Sequence, residues 1–241
     1  MINLEDYRVV ELSAEFKSRV YRLDTSVEEG AGDTYNLPWH LEDQINPDDS
    51  SIEQLIGVKI GDPVWPNGAP SGHHGSHIQL GVGHNDNWSG LPDGMLGLWD
   101  MPIDTYYGEA AVCFLDDLKG EPILPEHLSN VREGDIVLMG SPYTENPPWI
   151  DGDTAYWLAE EKKIKMLAVG IPGIGWETRT KDPEPDNCPT HRAMTGNNIP
   201  IAYPLSNIES LTKDRVFYIS LPLNVEQMEG TFIRALAIED R

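Results

Sequence analysis

Positive charge is scarce in this chain of 241 residues: 17 Lys and Arg stand against 40 Asp and Glu, a formal net charge of −23. Binding nucleic acid without regard to sequence needs clustered Lys and Arg, so that class of function is excluded, and so is docking on anionic membranes. Long apolar runs are missing too. No stretch approaches the roughly 18 consecutive apolar residues of a spanning helix. The opening MINLEDYRVVEL shows no basic segment leading into an apolar one, and a cytoplasmic protein is expected. Cysteine is limited to Cys113, in the apolar run AAVCFLD, and Cys188, in the loop-like DNCPT. Two free thiols in a reducing compartment explain that pair more simply than a disulfide. There is no internal repeat and no low-complexity linker, which predicts a single domain over 1–241.

What is present is a series of short β-type runs between turn signals: 7–12, 77–82, 110–116, 135–140, 164–171, 215–223 and 232–239. Each is rich in Val, Ile, Leu or aromatics and is bounded by Gly, Pro, Asn or Asp. The continuously apolar ones suit strands covered on both faces. Helical signals are fewer. They lie at 153–163 with Asp153 as N-cap, at 125–131 with a first-turn proline, and at 190–196 between Thr190 and Gly196. A short helix is expected around 51–57 within the loop-rich segment 24–72. Strands mixed with a few helices predict an α/β or α+β architecture.

Histidines carry the chemical signal. Four of the seven fall within twelve positions, in Gly72-His73-His74-Gly75-Ser76-His77-Ile78-Gln79-Leu80-Gly81-Val82-Gly83-His84. Imidazole is the commonest protein metal ligand and the usual general base near neutral pH. The plainer alternative is a glycine-rich polar surface loop that happens to carry histidines. His74 is expected to line a wall, while His40 and His127 sit in polar contexts that suit the surface. Trp65, Trp88, Trp99 and Trp176 lie in expected loops, where an aromatic substrate pocket and ordinary core packing are both open. Ser76 lacks the elbow of a serine hydrolase, and a turn hydrogen bond suits it better.

The histidine segment resembles the signature of the cyclase family of metal-dependent hydrolases, which includes bacterial kynurenine formamidases and isatin hydrolases. That signature runs His-x-Gly-Thr-His-x-Asp-x-Pro-x-His. His73, Gly75, Ser76 (for Thr) and His77 match it. Further matches follow in order: RVVELS at 8–13, VREGDIVLMGS at 131–141, the segment 190–211 with its histidine, and the closing strand pair at 217–240. The resemblance implies a swivelling β/β/α-type α/β fold with a β-rich core and a few helices, in a homodimer or larger oligomer. It implies zinc- or manganese-dependent hydrolysis of an amide or lactone-like bond in a small molecule. A metal in such a site lowers the pKa of bound water from about 15.7 towards about 7.

Carried over residue by residue, His73, His77 and His191 match metal ligands. Gln79 stands where the signature has Asp, and Tyr203 where the later segment has Glu. Gly83 aligns with the last histidine, one position before His84. Both anionic ligands are therefore replaced. An amide offers one neutral carbonyl oxygen, and a phenol has a reference pKa of about 10. Three imidazoles still suffice for a single zinc ion, so one ion at most, or none, is expected. In an extended 77–83, His84 points away from the ligand face unless a bulge at Gly81 or Gly83 restores it. Two readings follow. One is a hydrolase-like enzyme with a reduced metal site; the other is a metal-independent enzyme of ring closure, dehydration or rearrangement, using His84, Tyr203 and Gln79 as proton donors and acceptors. A non-catalytic family member is the third.

Overall fold

The computed structural model describes residues 4–14, 57–59, 76–80, 92–170, 173–176, 188–224 and 228–241. Its main element is a ten-stranded mixed sheet. In chain order the strands are β1 (Tyr7–Glu11), β2 (Gly57–Lys59), β3 (His77–Gln79), β4 (Tyr107–Phe114), β6 (Ile136–Gly140), β8 (Met166–Val169), β10 (Ile201–Tyr203), β11 (Arg215–Ser220), β12 (Met228–Phe232) and β13 (Ala235–Asp240). Across the sheet they run β1-β13-β11-β4-β6-β8-β10-β3-β12-β2. The run β4-β6-β8-β10 is parallel and every other pairing is antiparallel. A second, three-stranded parallel sheet joins β5 (Pro122–Ile123), β7 (Trp149–Ile150) and β9 (Gly175–Trp176). The expected β-rich α/β architecture is the one observed.

Sequence explains which strands are central. Ile-Val-Leu-Met-Gly of β6 and Met-Leu-Ala-Val of β8 are buried throughout, as parallel strands covered on both faces must be. Successive side chains alternate faces, and two cores result. Val137, Met139, Leu167 and Val169 join one, with Ala155, Leu158, Ala193 and Met194 of the helices. Ile136, Leu138, Met166 and Ala168 join the other, with Val10, Leu12, Tyr218 and Ala237. The sheet curls around this second core. Ser13, just past edge strand β1, bridges to Leu205, just past β10, and the Ser206 amide donates to the Leu12 carbonyl at 2.8 Å.

The helices depart from the expected boundaries. Helix α1 (Gly152–Tyr156) is capped by Asp151, whose carboxylate accepts from the Asp153 amide at 3.0 Å, so Asp153 is inside the helix rather than at its cap. From Trp157 to Glu161 it widens into a π turn. Helix α2 (Pro189–Gly196) starts one residue early with Cys188 at the N-cap, which buries Thr190 inside the first turn. The segment opening at Pro125 is a 3-10 turn, Pro125–Leu128, closed by the His127 Nδ1 accepting from the Leu124 amide at 3.0 Å. The run 232–239 is broken at Ile233–Arg234, because β12 and β13 pair with different neighbours. Of the helix expected at 51–57, residues 51–56 lie outside the described residues and Gly57 opens β2. Among the described residues no helix is long and apolar enough to cross a membrane. Neither cysteine is in a disulfide, and both are buried.

Candidate functional site

Strand β3 is three residues long, and its register decides what it presents. His77 lies opposite Tyr203 on β10 and Phe232 on β12, while Gln79 lies opposite Ile201 and Gly230. Directly opposed residues of antiparallel strands share a face. His77, Gln79 and Tyr203 thus project to the face where Ile201 and Tyr203 join the helix-side core. Ile78 and Ala202 turn to the other core. The start of β3 is tied down by Ser76, whose hydroxyl donates to the Pro204 carbonyl at 2.6 Å and accepts from the Ala14 amide at 2.7 Å. Ser76 is 2% exposed, and its role is to join three chain segments.

Helix α2 brings His191 to the same place. The rings of His77 and Tyr203 have centroids 4.4 Å apart, tilted by 57°. The ring of His191 meets Tyr203 edge-on with centroids 6.4 Å apart. The Tyr203 hydroxyl donates to Gln79 Oε1 at 3.2 Å. All four side chains are at least 96% buried, and none is a carboxylate. Burial in this setting favours neutral groups over charged ones.

Four of the six site residues expected from sequence are therefore neighbours: His77, Gln79, His191 and Tyr203. His73 and His84 lie outside the described residues, as do His40, His74, Trp65 and Trp88. Trp99 folds back over Gly97 in its own 3-10 turn. Trp176 belongs to strand β9 rather than to a loop. One neighbour was missed. Cys188 Sγ lies 3.0 Å from His191 Nδ1, deep in the protein. The signal for it is the Cys-Pro-Thr-His spacing, because residues three apart share a face of a helix.

A metal centre needs several donors converging on one point, usually with anionic help for a divalent ion. Among the described residues no three His, Cys, Asp or Glu side chains come together in that way. The Gln79 carbonyl is occupied by the Tyr203 hydroxyl, so the two replacements for anionic ligands answer each other. The described residues alone do not fit a metal, and the three-imidazole set depends on His73.

No family model matches the sequence, and no curated protein matches it either. Solved structures do. An isatin hydrolase A from Labrenzia aggregata, bound to benzyl benzoate, aligns with a TM-score of 0.63 at 16% identity over 98% of this chain and 95% of that one. An isatin hydrolase A from Ralstonia solanacearum gives 0.62 at 16% identity over 98% and 93%. A potential metal-dependent hydrolase with cyclase activity gives 0.59 at 15% identity over 98% of both chains. The chain shares the fold of these proteins over nearly its whole length.

Proposed function

We propose that this protein is a hydrolase-like enzyme of the cyclase family that opens an amide or lactone bond in a small cyclic or aromatic molecule. The supporting observation is that β3, β10 and α2 bring two buried imidazoles, His77 and His191, to one phenol, Tyr203. A neutral imidazole is the natural proton acceptor near pH 7. Here one ring takes a proton from water as the oxygen forms its bond to the substrate carbonyl. It then returns that proton to the nitrogen or oxygen that leaves. A single zinc or manganese ion held by His73, His77 and His191 would occupy both of these rings and would supply instead a polarised carbonyl and an activated water, so the imidazole-base step above is the metal-free form of the reaction.

The test uses full-length protein purified without chelator or histidine tag. Metal content is measured first, and hydrolysis of isatin, formanilide and a small aromatic lactone is then followed with and without chelator. Turnover of one of them, lost in His77→Ala and in His191→Ala, is the expected result. Below about a tenth of an equivalent of metal per chain, the ion is dispensable. No turnover of any of the three overturns the proposal. The hydrogen-bonded neutral pair of Gln79 and Tyr203 favours a second reading, a metal-independent ring closure or dehydration on the same face. Gain of metal and of hydrolysis in Gln79→Asp with Tyr203→Glu, from an inactive parent, supports that second reading.

A further inference from the structure

Gln79 is 1% exposed, and its amide is held by one end only. Oε1 accepts from Tyr203, while Nε2 has no hydrogen-bond partner among the described residues. A buried donor left in that state destabilises the fold, and such groups in native proteins call for a specific explanation. Packing does not supply one. Across β3 from Gln79 stands Gly230, which adds no side chain to that face, so the strand beside the amide is left low. The direction of the amide is set by its partner. A phenol that donates to Oε1 turns the NH2 group the other way, and an NH2 group binds acceptors and repels cations.

From this geometry we infer that Gln79 Nε2 is the hydrogen-bond donor for the carbonyl or carboxylate oxygen of the small molecule bound at this face, and that Tyr203 is the positioning residue that holds the amide. The inference rests on the proposed function for its choice of an amide or lactone carbonyl as the acceptor. In that reaction the donor faces the oxygen on which negative charge develops as water adds, where a preorganised donor counts most. Where the resembling signature carries a metal-binding carboxylate, this chain carries a donor for the substrate itself.

The probe is formanilide, a small aromatic amide, with the Gln79 side-chain NH2 signal followed by 15N NMR in the full-length protein and assigned by its loss in Gln79→Glu. Addition of formanilide shifts that signal. Gln79→Glu, ionised at high pH, keeps an acceptor for Tyr203 and removes the donor, so formanilide binding at that pH weakens about tenfold or more. Tyr203→Phe weakens binding less, and adding Gln79→Glu to it costs only the remainder, so the double variant binds no worse than Gln79→Glu alone. An unmoved signal at saturating probe, unchanged affinity in Gln79→Glu, or no binding of the probe to the parent protein overturns the assignment. Binding that depends on Gln79 without any turnover removes the hydrolase reading and leaves the donor in place.

Discussion

The two ends of the large sheet bury polar groups under different rules. Towards β1, β13, β11 and β4 two buried carboxylates have complete sets of partners, although the Tyr218 hydroxyl on β11 has none among the described residues. Asp135, its side chain 6% exposed, takes both arms of Arg215 at 2.6 and 3.0 Å and the Arg132 amide at 2.8 Å. Glu239, its side chain 1% exposed, takes Arg8 at 2.9 Å and the Thr212 amide at 2.9 Å. Towards β10, β3 and β12 the buried groups are neutral, and Gln79 Nε2 and the Thr231 hydroxyl have no hydrogen-bond partner among the described residues. A buried carboxylate with a completed set of bonds holds the fold; an unanswered buried donor calls for a specific explanation, which at Gln79 is the ligand inferred above.

The largest effect expected from this contrast is at the paired end. Asp135→Ala strands a guanidinium that is only 22% exposed and whose other carboxylate, Glu109, is 74% exposed. Breaking a buried pair from one side costs about 3 kcal/mol. Urea unfolding reads that loss as a lower midpoint at unchanged slope, with formanilide affinity per folded molecule unaltered. A loss under about 1 kcal/mol would erase the distinction between the two ends.

The next effect is smaller and runs the other way. Gln79→Met with Tyr203→Phe removes donor, acceptor and hydroxyl together from a buried site while nearly keeping its volume. Replacing both partners of a buried bond by apolar groups of similar shape is close to neutral or stabilising. The double variant is expected to melt no lower than the parent, within about 1 kcal/mol of it, and to lose probe binding. A fall of several kcal/mol would mean that this pair holds the fold as Asp135 does.

The paired end was easier to foresee than the site, for physical reasons. Burial on both faces leaves a composition that reads directly, as in β6, Ile136–Gly140. β4 extends back to Tyr107 because Tyr107 and Glu109 lie on an open face and carry no apolar signal. The break at Ile233–Arg234 depends on which distant strands are neighbours, and no local pattern holds that information. At the site, clustering singled out His77, and the resemblance to the family signature singled out Gln79, His191 and Tyr203. Their relations were hidden. That Tyr203 answers Gln79 follows from the pairing of β10 with β3, between residues 124 apart in sequence. Cys188, which reads as a loop thiol, became a neighbour of His191 only once α2 was seen to start at Pro189.

The smallest effect separates charge from burial as the cause of stability at the paired end. Glu11 on β1 meets Arg234 at 2.7 Å, but Arg234 is 81% exposed and Glu11 36%. Partial burial works against the Glu11 carboxylate, yet hydrogen bonds from Ser13 and Arg234 outweigh it and hold its pKa below the ordinary 4.5. A depressed carboxylate stabilises the fold above its unfolded pKa and loses that contribution as the pH falls through its folded one. Arg234→Ala is therefore expected to cost roughly 0.3 kcal/mol at pH 7, less in high salt. The gap between variant and parent should close once the pH drops well below 4.5. If it costs as much as Asp135→Ala, opposite charge alone stabilises this end. A ratio near ten puts the difference in desolvation, the same quantity that makes the unanswered Nε2 of Gln79 informative.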